Sequence, residues 1–185
     1  FSAAGCRTTR VKEDSERDCG PKAFNHVLAL HQAGKFAEAE TPARALAAAR
    51  SQAYGAGAAE TLRAQTLLAK ILQSEGKNAE AGALLRQQLP VMSRVLGARQ
   101  EDTLRCRSTL CQVLSAENKN AEAARALRSL IPLETQEFGI ADRYVLVDRM
   151  TFVAALYETE KWPEAEKEAR DLLPHLEREI GRRSE

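Results

Sequence analysis

Apolar residues recur along this chain at spacings of three and four, in stretches broken at fixed places. In one such stretch Leu62, Leu67, Leu68, Ile71 and Leu72 predict a helix that ends at the turn signal Gly76-Lys77-Asn78. A second helix runs from about Ala79 through Leu84, Leu85, Leu89 and Val95 to Leu96, and Gly97 closes it. The pair forms a helical hairpin, and the pattern repeats with a 42-residue period from residue 30 to residue 181. Leucine stands at 30, 72, 114 and 156, and lysine at 35, 77, 119 and 161. Glutamate holds 38, 80, 122 and 164, alanine 39, 81, 123 and 165, arginine 44, 86, 128 and 170, and glycine 55, 97, 139 and 181. A fixed period of this length marks a stacked array, in which each unit buries its apolar face only against a neighbour.

The repeated columns carry structural expectations. The glutamates fall in the first turn of each second helix, at the positive end of its dipole. The alanines follow the turn, where the two helices approach most closely. Each repeated glycine is preceded by a large apolar residue, Tyr54, Leu96, Phe138 or Ile180, which predicts a left-handed helix end with the apolar side chain tucked under the next unit. Pro90, Pro132 and Pro174 share a spacing inside the second helices and predict a bend in each, while the first copy carries Pro42. Phe36 and Trp162 occupy the turn column and are expected to pack on the adjoining helix. The Arg44 column reads as solvated or paired between copies.

The period divides the chain into a polar leader over 1–20, four units at about 21–55, 56–97, 98–139 and 140–181, and a tail over 182–185. The leader is expected to be disordered, to cap the first helix, or to leave that end open to a partner or to self-association. The last helix, from about Pro163 to Ile180, is dense in charge and suits a terminal cap. Because the chain starts at Phe1, it reads as a processed form or a piece of a longer protein.

Composition narrows the function. Aromatic residues make up 5% and charged residues 29%, as suits closely packed helices solvated outside, and the net charge of +1 gives no general case for nucleic acid. No apolar run reaches the ~18 residues of a membrane span. The cytoplasm or an organelle interior is favoured over secretion. Cys106 and Cys111 are five apart, about 140° around a helix, and cannot pair within it. Both read as inert core thiols, whereas Cys6 and Cys19 lie in the leader, where the sequence leaves pairing open. The histidines His26, His31 and His175 join the cysteines at no metal-ligand spacing, and His26, in the column of Leu68, Leu110 and Phe152, is expected against the core. No nucleophile motif or phosphate-binding glycine loop is present, so no catalysis, metal or cofactor is expected.

The strings QAGKFAEAE, SEGKNAEAGALLRQQL, ENKNAEAARALRSLI and ETEKWPEAEKEARDLL resemble tetratricopeptide repeats of the 42-residue kinesin light chain type, and the YGAGAAETL, LGARQEDTL and FGIADRYVL junctions are similar to that family's linkers. The resemblance implies an all-α, right-handed superhelical solenoid of four helix-turn-helix hairpins. Its first helices would line a concave groove for a partner segment. The groove positions it implies include Asn25, Leu28 and Gln32, then Arg63, Leu67, Lys70 and Gln73, then Arg105, Thr109, Gln112 and Ser115, and finally Met150, Thr151, Ala154 and Tyr157. The family's backbone-binding asparagine is matched by Asn25, while Leu67, Thr109 and Thr151 depart from it.

Arg63, Lys70 and Arg105 suit an acidic segment, with Asn25, Thr109, Gln112 and Thr151 available for backbone hydrogen bonds. The expected function is a non-catalytic protein-interaction module or scaffold. The alternative is a structural subunit docked permanently in a larger assembly through its end or convex surfaces.

Overall fold

The computed structural model describes residues 20–182, and among them are eight helices. They are α1 (Pro21–Gln32), α2 (Phe36–Tyr54), α3 (Ala59–Ser74), α4 (Asn78–Val95), α5 (Glu101–Ala116), α6 (Asn120–Phe138), α7 (Arg143–Glu158) and α8 (Trp162–Arg182). The leader, whose order, capping role and cysteines the sequence left open, lies outside the described residues except for Gly20. The chain divides into two compact units, with α1–α4 in the first and α5–α8 in the second. In the first unit α1 packs on α2, α2 on α3 and α3 on α4, with α1 also touching α3. In the second, α5 packs on α6, α6 on α7 and α7 on α8, with α5 touching α7.

Each unit has an apolar core drawn from the predicted periodicity. In the first unit Val27, Leu46, Leu62, Ile71, Leu72, Leu85 and Met92 are buried. In the second, Leu104, Cys111, Leu127, Leu130, Ala155 and Leu156 form one cluster, with Phe138 packed against it. The alanine column is buried throughout, at Ala39, Ala81, Ala123 and Ala165, as a close helix approach requires. Cys106 and Cys111 are both buried, and burial pushes the Cys111 thiol up to about 12.

The turn inside each hairpin shows what the repeated leucine, lysine and alanine columns do for the backbone. The N–H groups of Lys35, Lys77, Lys119 and Lys161 donate to the carbonyls of Leu30, Leu72, Leu114 and Leu156, each five residues back. The same lysines accept, at their own carbonyls, from the N–H groups of Ala39, Ala81, Ala123 and Ala165. The first bond is the long one of a Schellman helix end, and it needs a left-handed residue just before the lysine. That residue is Gly34 (φ 73°), Gly76 (φ 79°), Asn118 (φ 60°) or Glu160 (φ 59°).

The left-handed helix ends therefore lie inside the hairpins, and the junctions between hairpins differ from the expectation. Gly55 and Gly139 sit at φ 90° and 86° with ψ 155°, an extended mirror-image conformation open almost only to glycine. Gly181 lies within α8. Tyr54 is half exposed rather than tucked under the next hairpin, whereas Phe138 does join the core. Trp162 is also largely exposed, at the first position of α8, and His26 is exposed on α1 rather than set against the core. Pro42, Pro90, Pro132 and Pro174 lie inside helices that continue through them.

Candidate interaction surface

The first helix of each hairpin carries the residues expected to meet a partner. In the first unit Asn25 and Arg63 are exposed on α1 and α3, and Lys70 is half-buried on α3. Lys70 stands close enough to His31 that burial first, and the Lys70 charge second, hold the imidazole below its ordinary value. The His31 ring lies 5.5 Å from that of Phe36. Leu67, in contrast, belongs to the core. Its position in the asparagine column turns inward on α3, so its contribution is packing.

In the second unit the polar candidates are already engaged. The Arg105 guanidinium lies 3.8 Å above the Tyr144 ring and 5.2 Å from that of Phe138, and its Nη2 reaches Glu101 at 2.7 Å. A cation held between aromatic faces and a carboxylate one turn away serves the chain's own packing first. Thr109 is buried and its hydroxyl donates to the Arg105 carbonyl at 2.8 Å. The Thr151 hydroxyl donates in the same way to Val147 at 2.9 Å. Gln112 gives its amide N–H groups to Ser108 (3.2 Å) and Asp148 (3.1 Å). These side chains sit on the expected helices, but the Thr109 and Thr151 hydroxyls, the Gln112 amide, and Nε and Nη2 of Arg105 donate inside the unit.

What stands open on this unit is apolar. Val147, Met150, Ala154 and Tyr157 follow one another on α7 at spacings of three, four and three, which places them on one side of the helix. Met150 is 51% exposed, Tyr157 65% and Val147 37%. The corresponding residues are Arg105, Ser108, Gln112 and Ser115 on α5, and Arg63, Thr66, Lys70 and Gln73 on α3. The first copy, with Pro21, Phe24, Leu28 and His31, is apolar at three of these positions, and the fourth is apolar at all four. Val147 was not among the expected groove residues, yet its place in the Arg63 and Arg105 column was the signal that could have found it.

The tetratricopeptide repeat family's sequence model matches residues 60–133. No curated protein matches the chain. Among solved structures, a kinesin-light-chain-like protein of Podosopora anserina with nearly identical TPR-like repeats is similar at a TM-score of 0.62 and 18% identity, over 81% of this chain and 71% of that one. A point variant of that protein is similar at a TM-score of 0.65 and 17% identity, over 80% and 70%. At such identities the likeness is one of fold. Among the described residues no helix is long and apolar enough to cross a membrane.

Proposed function

We propose, for a chain that carries tetratricopeptide repeats and is thereby a protein-interaction module, that it binds a partner segment along the exposed side of its first helices and performs no chemistry itself. The observation that supports this reading is the apolar stripe Val147, Met150, Ala154 and Tyr157 on α7. Large apolar side chains lined up on one helix face and left to water mark a recognition surface more often than an accident of packing. The partner segment then presents apolar side chains to α7. On the first unit, Arg63 and Lys70 favour acidic character in whatever lies along α3, and Asn25 is available to a bound backbone. Arg105 contributes through Tyr144 and Glu101 rather than as an open cation.

The test is selection of peptides from a random displayed library on the intact chain, followed by affinity measurement on Met150→Ala/Tyr157→Ala and on Arg63→Glu/Lys70→Glu. Apolar-rich peptides that lose at least tenfold in affinity on the first variant support the reading. Peptides that bind both variants as tightly as the parent overturn it. Such an outcome turns attention to the second reading, a subunit held in an assembly by other surfaces, for which exposed Trp162 and Leu173 on α8 are the specific observation.

A further inference from the structure

Two acidic side chains in the second unit are fully buried. Glu134 on α6 and Asp148 on α7 both have no exposure to solvent. Neither column calls for an acid, since Met92 stands in that of Glu134, while Ala64 and Cys106 stand in that of Asp148, all three buried. One oxygen of Asp148 accepts from the Ser108 hydroxyl at 2.8 Å and from the Gln112 amide at 3.1 Å. Among the described residues no N–H or hydroxyl donates a hydrogen bond to either oxygen of Glu134. The Glu134 carboxyl is instead within hydrogen-bonding reach of Asp148.

Two carboxyl groups can hydrogen-bond to one another only if one of them carries a proton. Two carboxylates facing each other away from water would repel and remain undersolvated. We propose that Glu134 and Asp148 share one proton, and that this proton is a pH-operated latch between α6 and α7, the helices through which the third and fourth hairpins pack.

The surrounding charges set its sense. From α5, Arg105 acts on the pair, the neutral thiol of Cys111 lies beside both carboxyls with Arg107 near it, and Asp142 stands just before α7. Arg149, next to Asp148, is drawn away to Glu168 of α8 at 2.6 Å. Burial and then Asp148 raise Glu134, to about 8, and the Arg105 charge only partly opposes them. A carboxyl raised in the folded chain favours folding most at low pH. That advantage declines as pH climbs from the ordinary glutamate range of ~4.3 toward 8, where the proton leaves. The latch is therefore closed in mildly acidic surroundings and open in alkaline ones, and it is independent of which partner the chain binds.

The decisive measurement is a carbon NMR titration of the intact chain labelled at its glutamate carboxyls, with Glu134→Gln identifying the signal. A Glu134 midpoint above pH 7 is expected, and a midpoint below about 5.5, within roughly one unit of an ordinary glutamate, overturns the proposal. Should Glu134→Gln not fold, Asp148→Asn is expected to lower the anomalous midpoint by more than one pH unit, and no movement counts against the shared proton. Amide exchange, corrected for its intrinsic pH dependence, is expected to lose at least tenfold in protection across α6 and α7 between pH 6.5 and 8.5. Unchanged protection would remove the latch.

Discussion

Arg44 of the first hairpin meets Glu80 of the second at 2.7 Å, and the relationship recurs where Arg128 meets Glu164 at 2.6 Å. Two of the six repeated columns are thus joined as an ion pair from one hairpin to the next. Arg44 also holds Glu40, which in turn receives Lys77. All of these groups stand at the surface, where screening leaves little net energy. A double-mutant cycle on Arg44→Ala and Glu80→Ala, read by denaturant unfolding, is expected to give a coupling of about 0.5 kcal/mol that fades in high salt. The hydrogen bond from Arg44 lowers Glu80, so this coupling is present above the unfolded carboxylate range and disappears as pH falls through the lowered value.

Glu160 occupies the left-handed turn position that Gly34 and Gly76 fill elsewhere. A side chain there strains the backbone by about 1–2 kcal/mol, part of which glycine returns through its freer unfolded state. Glu160→Gly is expected to stabilise the chain by about 0.5–1 kcal/mol, and Gly76→Ala to destabilise it by a similar amount, both measured as shifts in the unfolding midpoint.

Ala81 is fully buried where α3 and α4 leave their turn. Ala81→Leu forces three more carbon atoms into that contact and is expected to cost about 1–3 kcal/mol. Ala83→Leu, on the exposed side of α4, is the control and should leave the midpoint within about 0.5 kcal/mol.

Cys106 and Cys111 are buried, and the Cys111 thiol stays protonated to about pH 12. Brief exposure of the native chain to an alkylating reagent at pH 8, followed by peptide mass mapping, is expected to leave both unmodified. Denaturant should make both react.

Arg105 and Arg63 share a column and differ in what surrounds them. Arg105→Ala removes a cation from the Tyr144 face and is expected to lower stability by about 1 kcal/mol. Arg63 is exposed, and Arg63→Ala is expected to leave the thermal midpoint nearly unchanged while altering affinity for an acidic segment. Thermal unfolding of the two variants side by side separates a packing cation from a recognition cation.

Much of the fold was legible because the repeat is read by the backbone. Leu72, Lys77 and Ala81 recur because one carbonyl, one peptide unit and one small side chain make the same turn each time, and that is visible without coordinates. The candidate surface was legible only in part. Its helices could be placed, and Met150, Ala154 and Tyr157 were among the expected residues. Which polar side chains would be consumed internally could not be read, because Thr109 bonds its own helix and Arg105 finds Tyr144 only once α5 and α7 are packed.

The sequence by itself determined the hairpin, its period, the buried alanine column and the core position of Cys111, since each follows from local spacing or from a column with one kind of side chain. Tertiary structure decided the rest. It withdrew Leu67 and Thr109 from the surface, left Trp162, His26 and Tyr54 in water, and set Glu134 against Asp148 across two helices. Burial and charge proximity depend on how neighbouring helices pack, and a one-dimensional period says which residues are equivalent but not what each of them meets.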